Sequence, residues 1–201
     1  MGKRFFDCAF SLMVLLIASP LFAICALAVK LSSAGPVFYA HPRIGLQGKP
    51  FGCLKFRTMY RDADARLQPL LIANPALMQE WQTYFKLKED PRITWVGNFL
   101  RKTSLDEIPQ FWNVLRGEMS LVGPRPVTQY EVTHYLKERA DSILSVRPGL
   151  TTLWVTEGRN ALSLEQRIER ELYYVLNRTF WLDCKLIVRT FLQMIFPKGA
   201  Y

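Results

Sequence analysis

A mixed α/β fold attached to an N-terminal membrane segment is what the sequence predicts, and three observations predict it. The run from Cys8 to Val29 is 22 residues long and carries no charge. Two short apolar runs, 35–41 and 51–59, flank the glycine-containing stretch Gly45-Leu46-Gln47-Gly48-Lys49-Pro50 and read as a β-hairpin. Further on, Leu77, Met78, Trp81, Tyr84 and Phe85 recur at helical spacing. The composition agrees with a folded protein: 201 residues, 50% hydrophobic and 13% aromatic, which excludes disorder and low complexity. The length leaves room for one globular unit, or two at most. The division expected is a membrane segment with its basic flank, 1–34, and a single functional unit, 35–201.

At about 1.5 Å per helical residue, the uncharged run reaches roughly 33 Å, enough for a bilayer core of about 30 Å. Asp7 and the length argue against a cleaved leader. Ser19-Pro20 lies at the midpoint, and proline there removes a helical hydrogen bond. A kinked single span and a re-entrant hairpin both follow from that break. Lys3 and Arg4 precede the run, and Lys30, Arg43, Lys49, Lys55, Arg57 and Arg61 follow it. Basic residues prefer the cytoplasmic side, so a hairpin satisfies both flanks where a straight span satisfies one.

The net charge is +9, and between Cys8 and Arg61 there is no Asp or Glu. Such a stretch suits anionic head groups, a phosphorylated ligand, or both. Nucleic acid fits poorly, because these basic residues adjoin an apolar segment. In the second strand of the hairpin, Lys55 and Arg57 share a face by the period of two. Paired cations there suit a diphosphate, and equally protect a sheet edge. Residues 61–89 read as helix interrupted at Pro69 and Pro75, Asp90–Thr94 as a turn and short strand, and Gly97-Asn98 as another turn. The four cysteines include no C-x-x-C pair, and His41 and His134 are far apart, so neither a zinc site nor a disulfide framework is expected.

The most informative stretch is Leu100-Arg101-Lys102-Thr103-Ser104-Leu105-Asp106-Glu107-Ile108-Pro109-Gln110. Ser104 and Glu107 have capping-box spacing, and Asp106 is itself a good helix cap. Gly117 would end that helix. The same two carboxylates, preceded by Arg101 and Lys102, are placed to hold a divalent metal together with a phosphate. A carboxylate in that setting is also a nucleophile toward phosphorus. Spacing alone leaves the capping and catalytic readings open. Gly123-Pro124-Arg125-Pro126 holds Arg125 in a stiff segment, suited to phosphate or to ending a strand.

These stretches together, with Lys3-Arg4-Phe5-Phe6-Asp7, Ser19-Pro20, Gly35-Pro36-Val37-Phe38, Lys55-Phe56-Arg57-Thr58-Met59, Asp90-Pro91-Arg92-Ile93-Thr94 and Arg147-Pro148-Gly149, occur in order along nearly the whole chain. In this the sequence resembles the bacterial sugar transferases, the monotopic phosphoglycosyl transferases. The resemblance implies a re-entrant helix-break-helix at Ser19-Pro20, a small globular α/β core with a β-hairpin, and amphipathic interfacial helices. It implies a place on the cytoplasmic face of the bacterial inner membrane. It implies transfer of a hexose 1-phosphate from a UDP-hexose to undecaprenyl phosphate, releasing UMP with Mg2+ as cofactor, at the first membrane step of polysaccharide synthesis. Asp106 is then the covalent nucleophile, Glu107 its partner, and both are metal ligands. Arg101 and Arg125, with Lys55 and Arg57, become phosphate ligands. Arg147, Arg159 and Glu171 fall in the part that bears on the sugar or nucleotide, where the resemblance is to the hexose-1-phosphate branch. There Thr152 and Glu171 stand in place of the branch's Gly and Asp, and a surface salt bridge remains the other reading of Arg159 and Glu171. The resemblance also implies a catalytic core alone, with membrane lipids as partners, and leaves a homodimer open. A nucleotide-sugar hydrolase and a non-catalytic lipid-binding scaffold are the competing functions. Residues 181–197, apolar with Lys185 and Arg189 four apart, read as a helix lying on the membrane or packed on the domain.

Overall fold

The structure is a computed structural model that describes residues 2–84, 87–157 and 162–195. Among the described residues helices dominate, with two small sheets. The chain opens with α1 (Gly2–Ile17) and α2 (Ser19–Ser32), interrupted at Ala18. Pro20 lies in the first turn of α2, where its missing N–H costs no intrahelical bond. Among the described residues no single helix is long and apolar enough to cross a membrane, whereas α1 and α2 taken together are. A β-hairpin follows, β1 (Phe38–Ile44) and β2 (Pro50–Phe56), displaced by a few residues from the runs read in the sequence. Next come α3 (Ala63–Ala73), with Pro69 accommodated inside it, and α4 (Pro75–Tyr84). Leu77, Met78 and Trp81 are half-buried on α4; Phe85 lies outside the described residues. The expected turn at Gly97-Asn98 is instead part of α5 (Trp95–Thr103). Thr94 caps this helix, its hydroxyl accepting the Gly97 N–H at 2.9 Å. After α6 (Gln110–Arg116) come β3 (Ser120–Val122), the short helices α7 (Gln129–Glu131) and α8 (Ala140–Ile143), β4 (Gly149–Thr151), α9 (Leu164–Asn177) and α10 (Phe180–Ile195).

Two compact units are formed. The first takes Met1–Ala18, Ala40–Leu54 and Pro109–Tyr201. Its largest core joins Leu121, Val122, Leu153, Tyr174, Val175 and Leu186. β3 and β4 pair in parallel, with Ser120 opposite Gly149 and Val122 opposite Thr151. Gly123 and Gly149 are needed for the closeness of these backbones: a Cβ on Gly149 would meet the Gly123 nitrogen at 2.1 Å. Asp7, just before the uncharged run, is buried in α1 and accepts the Ser120 hydroxyl at 2.7 Å. Asp183 on α10 pairs with Lys3 and lies 2.7 Å from the Tyr174 hydroxyl, which joins α1, α9 and α10 through polar contacts. Phe5, Leu16 and Ile17 of α1 and Trp181, Val188 and Phe191 of α10 remain exposed, with Trp181 81% open.

The second unit takes Ser19–Tyr39 and Lys55–Ile108. Cys25 and Val29 of α2, Phe56 of β2, and Val96 and Leu100 of α5 form its core. Val96 and Leu100 lie four apart, so one face of α5 is buried, while Trp95 and Phe99 on another face stay exposed. Gly97 is fixed by proximity, because a Cβ there would lie 2.0 Å from the Thr58 carbonyl oxygen.

Candidate active site

The site of the second unit is built on the exit of α5. Ser104 ends that helix in the left-handed conformation, φ 57°, and its N–H bonds back to Arg101 O at 3.2 Å. A single 3-10 turn, Leu105–Glu107, follows. Glu107 N–H bonds to Ser104 O at 3.2 Å and Ile108 N–H to Leu105 O at 3.3 Å. Neither capping reading of the sequence holds: Ser104 makes no side-chain cap, and α6 starts only after Pro109. The S-x-x-E spacing is real, but Ser104 is spent on turning the chain. Leu105 and Ile108 pack on the core of this unit. The two residues between them, Asp106 and Glu107, turn toward Lys55.

Lys55 Nζ lies 2.6 Å from Glu107 Oε1 and 3.8 Å from Asp106 Oδ2. Asp106 is 7% exposed. Burial pushes its carboxyl pKa up; Lys55 acts against that shift, Glu107 adds to it, and Arg101 opposes it. Arg101 leaves the exposed side of α5 and donates from Nε to Thr58 Oγ1 at 2.9 Å. Desolvation lowers its pKa, while Asp106 and Asp90 raise it. Lys55, Arg101, Asp106 and Glu107 are therefore gathered in one place, two cations facing two carboxylates.

Arg57 points elsewhere. β2 ends at Phe56, and the strict alternation stops with it. The Arg57 guanidinium is buried and donates from Nη2 to Val29 O at 3.2 Å, Ser33 O at 2.6 Å and Ser33 Oγ at 3.0 Å. It binds carbonyls around the end of α2, where cations are favoured. Gly35 makes room for it, since a Cβ there would lie 2.4 Å from Arg57 Nη1.

Arg125, Arg147 and Glu171 belong to the first unit. Arg147 donates from Nε to Gly117 O at 2.7 Å, holding the left-handed end of α6. Arg125 has an exposed side chain and a fixed backbone: its N–H donates to Glu171 Oε1 at 3.0 Å. The same Glu171 oxygen accepts the Trp154 indole N–H at 2.6 Å. Glu171 is no surface salt bridge; it is buried, its Oε2 has no hydrogen-bond partner among the described residues, and burial raises its pKa to about 7. Sequence reasoning had no signal for the Glu171–Trp154 pair, nor for the Thr58 contact that steers Arg101. Arg159 lies outside the described residues.

Among the described residues no group of three or more His, Cys, Asp or Glu forms a metal cage. Two carboxylates with hard oxygens nevertheless fit Mg2+, which commonly takes one or two carboxylates and completes its shell with water and substrate phosphate.

The sequence profile described as bacterial sugar transferase matches residues 1–197. The chain belongs to the bacterial sugar transferase family. Its relatives align along its whole length. It is 44% identical over 200 residues to the exopolysaccharide production protein ExoY of Sinorhizobium fredii, covering 100% of this chain and 88% of that protein. It is 45% identical over 199 residues to the undecaprenyl-phosphate galactose phosphotransferase of Salmonella typhimurium, covering 99% of this chain and 41% of the other. It is 38% identical over 206 residues to the UDP-glucose:undecaprenyl-phosphate glucose-1-phosphate transferase of Escherichia coli, covering 99% and 41%. The chain thus spans about two fifths of the length of the latter two. This bacterial sugar transferase is a transferase enzyme.

Proposed function

We propose that the chain transfers a hexose 1-phosphate from a UDP-hexose to undecaprenyl phosphate and releases UMP, with Asp106 as covalent nucleophile. The observation that carries this reading is the placement of Asp106: a buried carboxylate fixed between two core residues and faced by Lys55 and Arg101. The names of the galactose and glucose phosphotransferases supply the substrate class.

In the first step Asp106 Oδ attacks the phosphorus that bears the hexose. The bond from that phosphorus to the bridging oxygen breaks, and the bridging oxygen leaves on UMP. An acyl phosphate links Asp106 to the sugar phosphate. In the second step a phosphate oxygen of the lipid attacks the same phosphorus, the acyl phosphate bond breaks, and Asp106 returns as carboxylate. Burial leaves Asp106 poorly solvated and so more reactive once ionised, and its neighbouring cations favour that ionised form. Arg101 and Lys55 neutralise charge on the transferring phosphoryl oxygens. Mg2+ bound by Asp106 and Glu107 would supply charge neutralisation at the diphosphate. The exposed apolar side chains of α1, α2 and α10 support a re-entrant, monotopic attachment at the cytoplasmic face of the inner membrane, at the depth of the lipid phosphate.

The test uses detergent-solubilised protein, Mg2+, a panel of UDP-hexoses, and undecaprenyl phosphate present or absent. UMP release should require the lipid, and Asp106→Asn should abolish it. Intact-protein mass spectrometry without acceptor should detect the hexose phosphate on wild type and not on the variant. Lipid-independent release would favour the hydrolase, and full activity of Asp106→Asn would remove the nucleophile assignment.

A further inference from the structure

Lys55 is the cation that the structure places between the two carboxylates. Its ammonium touches Glu107 Oε1 at 2.6 Å and reaches Asp106 Oδ2 at 3.8 Å, so a single cation bridges both carboxylates. From these positions we propose that Lys55 is the resident counter-ion of the carboxylate pair and is exchanged for the divalent metal when the enzyme is charged for turnover. The inference rests on the reading of Asp106 and Glu107 as the metal site.

Three features support exchange over a permanent bond. The Lys55 side chain is 30% exposed and that of Glu107 46%, so the ion pair lies open on one side and can part without unpacking the core. Lysine carries its charge on a flexible four-carbon stem, so the ammonium can retract while β2 stays in place. No third carboxylate, His or Cys joins the pair among the described residues, so metal and ammonium compete for the same oxygens.

The charges give the exchange a purpose. With Arg101 counted, two carboxylates and two cations leave the site neutral, which offers a diphosphate no net attraction. With a divalent ion on the carboxylates and the Lys55 ammonium freed beside them, the same four groups and the metal carry a net charge of +2, which attracts one. The phosphate-binding role of Lys55 is thus available only after the metal has arrived. Metal before nucleotide is the order that follows.

Two measurements test this without relying on turnover. Mn2+ binding is followed by electron paramagnetic resonance on metal-free protein in an uncharged detergent. Removing one positive charge about 4 Å from the metal should tighten Mn2+ binding by roughly fivefold or more in Lys55→Met, and similarly in Lys55→Gln, which keeps a polar head without charge. On wild-type protein, acylation of Lys55 by an N-hydroxysuccinimide ester, read by peptide mass spectrometry, should speed up several-fold when Mn2+ is added, while Lys102 is unchanged. Equal or weaker Mn2+ binding in both Lys55 variants overturns the exchange. So does Lys55 labelling that ignores saturating metal, a result that stands even if neither variant folds. If Asp106→Asn with Glu107→Gln binds Mn2+ as well as wild type, the metal sits elsewhere, and the reading of the carboxylate pair fails with the exchange. The transferase reaction itself is judged separately by lipid-dependent UMP release.

Discussion

Substituting Gly97 by alanine tests how the fold aims the site. Gly97 is in the first turn of α5, and an alanine Cβ would sit 2.0 Å from the Thr58 carbonyl oxygen and 2.6 Å from its carbon. Ordinary contact begins at 3.4 Å, so the gap must open by more than about an ångström. The obstructing atoms are backbone and cannot rotate away. Overpacking of this kind costs about 1–3 kcal/mol, and a backbone wall places it at the upper end. Alanine recovers about 1 kcal/mol of helix propensity. The net loss is about 2 kcal/mol, which lowers the melting temperature of a chain this size by about 4–8 °C. The same push displaces Thr58, whose carbonyl accepts the Thr94 N–H at 3.0 Å and whose hydroxyl holds Arg101 Nε at 2.9 Å. A shift of about 1 Å in a positioning group can cost roughly a hundredfold in rate. Thermal unfolding and lipid-dependent UMP release, measured on the same preparation, read both effects. A variant that melts with wild type and turns over at the wild-type rate would refute the packing argument.

Two further outcomes follow from buried polar groups in the first unit. Glu171 has a folded pKa of about 7 against 4.5 in the free residue. Between those values the folded state holds a proton that the unfolded state has lost. Its contribution is therefore full below pH 4.5 and disappears as pH rises through about 7, a change of up to about 3 kcal/mol. Melting curves between about pH 5 and pH 8 should show that slope in wild type and its loss in Glu171→Gln; equal slopes would show that Glu171 titrates as an ordinary carboxylate. Tyr174→Phe keeps the ring and removes the hydroxyl that meets buried Asp183 Oδ1 at 2.7 Å. It should cost about 1.5–3 kcal/mol in denaturant unfolding, as expected for a hydrogen bond to a charged group, and an unchanged midpoint would mean that the hydroxyl contributes nothing net.

What the sequence discloses about this protein depends on how local each cause is. The Asp106-Glu107 pair is legible because adjacency is written in the chain, and Lys55 because strand alternation places it on one face. The broken apolar segment is legible for the same reason, since Pro20 marks its own consequence. Gly97-Asn98 reads as a turn in the sequence because the true constraint on Gly97, the Thr58 carbonyl, lies 39 positions away. Ser104 is ambiguous in the sequence because S-x-x-E describes a capping box and this left-handed exit from α5 equally well. Glu171 carries no sign of burial in its own neighbourhood; Trp154 and the Arg125 N–H create its environment. β3 and β4 hold three residues each, too few for any period to register, and they exist through pairing with one another.

The left-handed Ser104 has a consequence for how such an enzyme can be improved. A non-glycine residue at φ 57° carries roughly 1–2 kcal/mol of backbone strain that glycine would not. Selection for heat resistance alone would accept glycine at this codon. The same change would widen the range of angles at which the Leu105–Glu107 turn leaves α5, and the aim of Asp106 would spread with it. Thermal tolerance and turnover thus pull this single position in opposite directions, and libraries screened for one should be counter-screened for the other.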